Sequence, residues 1–293
     1  VFAGYDLFRE AKIRAFWANQ PQSKVRPLLF DRLYPYLARS PQQAKGMALE
    51  FWKRGLERSR QPGFSHEPRW STTATLHRFF SADTKHTLQV NPAPEYLETL
   101  PNEFHRWDPL AQAQFIELET LLSSYLISSQ GDRMLMAHSV EGRFPFLDAD
   151  VMEFCNTLPA QYKLNGLNEK FILKRVARGI VPDKIIRRPK QPYRAPDAVS
   201  FVGADAPAYV AELLSESSLK ETRLFDAEAV RSLYTKCRER AERPGIAFSN
   251  TDNMGLVGIL SAQLVYNELI KNNGGGRRIE FTTFIDRSFV SSH

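Results

Sequence analysis

Proline placement limits this chain more than any other feature. Of its 18 prolines, Pro21, Pro35, Pro62, Pro68, Pro92, Pro94, Pro101, Pro109 and Pro159 separate or interrupt segments whose apolar residues recur at three- and four-residue steps. Proline lacks a backbone N–H and clashes with the preceding turn, so regular helices must end, kink or begin at these points. Strand signals are few, chiefly in RRIEFTTFI after Gly274, Gly275 and Gly276. The chain therefore reads as mainly α.

The windows between prolines set the expected elements. Residues 3–18 predict a first helix, PLLFDRLYPYLAR a second pattern interrupted at Pro35, and residues 43–58 a third. From 59 to 109 the pattern is lost, which predicts an irregular excursion or lid. Periodicity returns at Ala111–Ser128, where Phe115, Leu118, Leu122, Tyr125 and Leu126 share a stripe. Asp148 is placed to cap a helix carrying Val151, Phe154, Cys155 and Leu158, and Asn168 to cap EKFILKRVAR, which Gly179 closes. Residues 226–242 and 252–271 predict two more helices, and 274–293 a tail.

Composition removes several classes. At 43% hydrophobic and 25% charged, the chain can bury a sizeable core and is not disordered. No run of about 18 apolar residues occurs, so no membrane helix is expected, and a cytoplasmic location is the default. Cys155 and Cys237 read as free thiols, with Cys155 in the core. The six histidines lack metal spacing, and His138 is read as a packing residue. No metal-ligating residue is assigned.

A net charge of +6 admits nucleic acid, polyphosphate or acidic metabolites as partners. Residues 184–194, KIIRRPKQPYR, hold Lys184, Arg187, Arg188, Lys190 and Arg194 around two prolines. This basic loop either presents cations to phosphate oxygens or is a solvated surface loop. HSVEGRFPFLD, residues 138–148, joins two helical windows through Pro145. Glu141 and Arg143, two apart in an extended segment, share a face. They can bracket a ligand or brace one loop against another.

Three runs, GDRMLMAHSVEGRFPFLD, LPAQYKLNGLNEKFILKRVA and VPDKIIRRPKQPYRAP, resemble in order and spacing the synthetase domain of glutamine-hydrolysing asparagine synthetases. The opening VFAGYDLFREAK is similar to the segment just after that family's acidic glycine-rich loop. The resemblance covers about the first 12 residues and residues 125–200. It implies that residues 1–293 are the helical C-terminal half of an α/β ATP-pyrophosphatase (adenine nucleotide α-hydrolase-like) synthetase domain. It also implies activation of the aspartate side chain by ATP and Mg2+ as an acyl-adenylate, then displacement of AMP by ammonia from glutamine.

Carried over, Lys190 matches the lysine at the α-phosphate and pyrophosphate, and Tyr5 a tyrosine on the acceptor side. Arg188, Lys170, Glu141 and Arg143 are the remaining candidates for ATP binding, with Asp132 and Arg133 read as structural. Neither the family's nucleophilic-cysteine glutaminase domain nor its SGGxDS phosphate loop occurs in the sequence, which begins at Val1. The chain therefore reads as a fragment whose magnesium ligands, phosphate-loop half and glutaminase domain lie elsewhere in the same gene product or in a partner chain. A homodimer is compatible with this reading, whereas no nucleic acid or membrane partner is expected. A related enzyme acting on another carboxylic acid is the first alternative, and a non-catalytic basic helical binding module the second.

Overall fold

A computed structural model describes residues 1–35, 42–88, 92–188, 198–243 and 248–271. The described chain is mainly helical, and its only sheet among those residues is a two-stranded hairpin. No helix among them is long and apolar enough to cross a membrane. The chain divides into two compact units. One comprises Val1–Thr75 and Asn91–Arg194, the other Leu76–Val90 and Ala195–His293.

The first unit is organised around helix α1 (Asp6–Ala18), which starts three residues later than its apolar pattern suggests. Its Ile13 and Trp17 pack with Phe30 and with Trp52 of α2 (Gln42–Lys53), and the Phe30 and Trp52 rings stack at 4.0 Å. Its Leu7 and Phe8 join a second cluster with Ala3, Ala113 and Leu164. Between them lies Arg14, only 1% exposed. Its guanidinium donates to the carbonyls of Trp52 at 3.1 Å, Phe64 at 2.7 Å and Arg54 at 2.8 Å. It also lies 4.1 Å over the Phe64 ring and 3.7 Å from Glu67. Burial lowers the Arg14 pKa to about 10, with Glu67 opposing, so the group stays charged at neutral pH.

Short helices fill the proline-rich stretch, among them α3 (Glu67–Ala74), and α4 (Pro109–Glu117) follows. Where the apolar stripe predicts a continuing α-helix, α4 passes into a π-helix over Leu118–Asp132. The hydroxyls of Thr120, Ser123, Ser124 and Ser128 each donate to the carbonyl four residues back. Those bonds compete for the carbonyls an α-helix needs, which accounts for the widened winding.

Helix α5 (Ala149–Thr157) is capped as expected, the Asp148 carboxylate accepting from the amides of Asp150 and Val151. Helix α6 (Ala160–Lys163) leads into the hairpin β1 (Leu164–Asn165) and β2 (Asn168–Glu169). This corrects the expected cap. Asn168 pairs with Asn165, and helix α7 (Phe171–Val176) instead starts after Lys170, which takes a left-handed φ of 52°. Gly179 closes the following turn at φ 79°, a conformation that favours glycine.

In the second unit, α8 (Ala227–Ala241) sets Val230, Leu233 and Cys237 in one core with Leu256, Ile259 and Leu260 of α9 (Asn250–Val265). Asp226 and Ser249 cap them through the amides of Ala229 and Asp252. The Asp252 carboxylate is buried; burial alone would raise its pKa, but the Lys236 ammonium at 2.8 Å and the Ser249 hydrogen bond hold it below the ordinary carboxylate value. Cys155 and Cys237 are free and Cys155 is buried, as read from the sequence, and Cys237 is buried as well. The strand expected in RRIEFTTFI lies outside the described residues.

Replacing Arg14 with Met leaves three carbonyls without their donor, and each buried unsatisfied group costs roughly 1–3 kcal/mol. Arg14→Met is expected to lower unfolding free energy by about 3–5 kcal/mol in a urea titration. Arg14→Lys should recover little, because one ammonium cannot reproduce the planar fork.

Candidate functional site

A cavity of about 910 Å3 opens within the first unit. It is bounded by the segment before α1, the helix α4 with the first turns of the π-helix, the loop 143–147, and Lys163 and Lys170 at either end of the hairpin. Several local features fix these walls. The Lys170 amide donates to the Phe2 carbonyl at 3.1 Å, and the Phe2 and Phe146 rings meet edge to face at 5.7 Å. The Lys170 side chain runs over Gly4, where an added Cβ would lie 2.6 Å from the lysine Cε. A glycine at that position lets the lysine lie flat along the wall.

Of the residues marked in the sequence, Tyr5, Arg143 and Lys170 line this one cavity. Tyr5 precedes α1 in extended conformation, and burial, aided by the charge of Glu117, raises its phenol pKa. Arg143 forms an ion pair at 2.7 Å with Glu141, both side chains about three-quarters exposed, so the two do share a face and meet each other. Glu141 does not line the cavity, and neither does Arg188, which is exposed at the end of the helix Asp183–Arg187. Lys190 lies outside the described residues. Contrary to its packing assignment, His138 is exposed and bonds its Nδ1 to the Met134 carbonyl at 2.8 Å.

Two buried charged groups of the cavity escaped the sequence reading. Glu117 is 3% exposed, and its Oε2 accepts from His66 Nε2 at 3.0 Å and Arg69 Nη1 at 2.6 Å. Burial alone would raise the Glu117 pKa, but the His66 hydrogen bond and the Arg69 charge outweigh it and hold the carboxylate ionised below the usual range. Burial also pushes the His66 imidazole below its ordinary value, outweighing the pull of Glu117. A neutral His66 fits its partners, with Nε2–H donating to Glu117 and Nδ1 accepting from Ser65 Oγ at 2.9 Å. An acid on the apolar face of α4, four residues after Ala113 and beside Ile116, is the pattern that could have marked it.

Lys163 is the second group. It is 5% exposed, burial lowers its pKa, and its Nζ lies 3.4 Å from Gln114 Oε1. In the sequence it resembles an ordinary basic residue at a helix C-terminus, and only the hairpin that follows turns it inward. The cavity thus combines apolar walls with cations and an internal carboxylate already neutralised by Arg69. Such a site can hold an anion and exclude water from it. No group of three His, Cys, Asp or Glu residues suited to a metal ion occurs among the described residues.

The chain belongs to the asparagine synthase family, whose model matches residues 1–264. It is similar to asparagine synthetase [glutamine-hydrolyzing] 1 of Bacillus subtilis, 26% identical over 67% of this chain and 29% of that protein. Asparagine synthetase [glutamine-hydrolyzing] 3 of the same organism is 36% identical over 42% of this chain and 19% of its own length. The amidase chyE of Penicillium rubens is 27% identical over 52% of this chain and 22% of its own. The chain spans less than a third of the length of each of these relatives. No solved structure matches it.

A histidine that folds with a depressed pKa destabilises the fold once the unfolded chain begins to bind its proton, near pH 6.5. Stability should therefore fall as pH drops from 7.5 through 6.5 toward the lower folded value, and then level off for this group. His66→Gln keeps a donor to Glu117 without titrating. Its melting temperature should be flatter than wild type between pH 7.5 and 5.5.

Proposed function

We propose that the complete protein carries out ATP-dependent amide formation on a carboxylic acid. The carboxylate oxygen attacks the α-phosphorus of ATP, giving an acyl-adenylate and pyrophosphate. Ammonia then attacks the acyl carbon, releasing AMP and one proton. The supporting observation is that Tyr5, Arg143 and Lys170, selected from three separate motif runs, line a single cavity.

In this reading Lys170 and Lys190 balance phosphate charge, Arg143 guards the rim and Tyr5 orients the acceptor. The apolar walls keep water from the mixed anhydride. Aspartate as the acid and glutamine as the ammonia source follow from the family resemblance. So do the assignment of this chain to the helical C-terminal half of an ATP-pyrophosphatase domain, and the placing of phosphate loop, magnesium ligands and glutaminase domain outside these residues. The aromatic and aliphatic side chains in the cavity lining favour a second reading, in which the acid is not aspartate.

The test is pyrophosphate release by the full-length gene product with Mg-ATP, ammonium and a panel of acids. Release that depends on the acid supports the reading, and absence of release with every acid removes it. Lys190→Ala and Lys170→Met should each lower the rate by about 100-fold if they stabilise the transferring charge. Their melting temperatures should stay close to wild type.

A further inference from the structure

We propose that the cavity selects a monocarboxylic acid with an aromatic or long apolar body, its carboxylate held by Lys163. The proposal rests on the acyl-activation reading for the fate of the acid, and on the cavity alone for its binding.

Lys163 carries the argument. The residue is only 5% exposed, yet the one hydrogen-bond contact of its ammonium among the described residues is the 3.4 Å approach to Gln114 Oε1, at the long limit of hydrogen bonding. No carboxylate among the described residues forms an ion pair with it. Of the acids that line the cavity, Glu117 is held through Oε2 by His66 and Arg69 while its buried Oε1 has no hydrogen-bond partner among the described residues, and Asp108 accepts from the Leu110 amide at 2.8 Å. A buried ammonium with no ion pair is costly, and a ligand carboxylate lowers that cost. Burial lowers the lysine's pKa and outweighs the opposing pulls of Cys155 and Asp108.

The walls decide what the carboxylate is attached to. Phe8, Trp107, Phe115, Leu122, Met152 and Leu173 face the same space. At about 910 Å3 it lies near the upper end of the roughly 300–1,000 Å3 that holds a drug-sized ligand. A small amino-dicarboxylate would leave most of this apolar surface uncovered, whereas an aryl or long-chain acid covers it.

The experiment is calorimetric titration of the full-length gene product, without ATP, using 4-phenylbutanoate, its neutral amide, aspartate and AMP. Expected are binding of the acid at least tenfold tighter than of the amide or aspartate, and a tenfold or greater loss for the acid alone in Lys163→Met. Lys163→Arg should restore part of it. Lys163→Met exchanges an uncompensated charge for an unbranched apolar chain, so its melting temperature should not fall. Should it fail to fold, the preference of wild type for acid over amide decides.

Tighter binding of aspartate, equal binding of acid and amide, or unchanged acid affinity in Lys163→Met would overturn the proposal, as would AMP displacing the acid from the cavity. These results are independent of pyrophosphate release. Release with aspartate alone leaves amide formation standing and removes the apolar acid, whereas binding of the apolar acid without release from any acid does the reverse.

Discussion

Everything in the first unit depends on one cation placed where no water can reach it. Arg14 ties the end of α2 and the turn at Phe64 to the middle of α1. These segments are separated by prolines and turns and have little regular structure to hold them together. A hydrophobic residue would fill the space equally well but leave three carbonyls unpaired. A lysine would satisfy one or two. The planar five-donor group is the side chain that meets all three, and its face still packs on Phe64.

The order set there reaches the cavity through α3. His66 precedes that helix and Arg69 lies in its first turn, and both meet Glu117 at the end of α4. The cavity wall is thus fastened from behind by a charge cluster in which His66 and Arg69 both meet Glu117 Oε2. Beyond Glu117 the chain changes winding, and the π-helix carries Leu118 and Leu122 along the wall toward the HSVEGRFPFLD loop.

The sequence made helices legible wherever a cap residue and an apolar period agreed, as at Asp148 and α5, or Asp226 and α8. It misled where a local signal competed with pairing further along. Asn168 has the chemistry of a cap, but Gly166 permits a tight hairpin that takes Asn168 into a strand. The stripe from Phe115 to Leu126 has the period of an α-helix, and a series of serine and threonine hydroxyls alters it. For the site, motif order singled out Tyr5, Arg143 and Lys170, since residues of those types at those spacings carry chemistry in the family. Glu117 left one sequence mark, an acid on an apolar face, and Lys163 none, because their importance comes from burial, which depends on how α4 and the hairpin are folded. The basic loop with Lys190 falls outside the described residues.

The charges around the cavity do not cancel. Arg143 has Glu141, Glu117 has Arg69 and Asp108 has a helix amide, but neither Lys163 nor Lys170 has an ion-pair partner among the described residues. A cavity of this kind is an electrostatic filter. In a low-dielectric space two unpaired ammonium groups repel any third cation far more strongly than they would in water. The same field draws anions toward the cavity and disfavours the entry of cations.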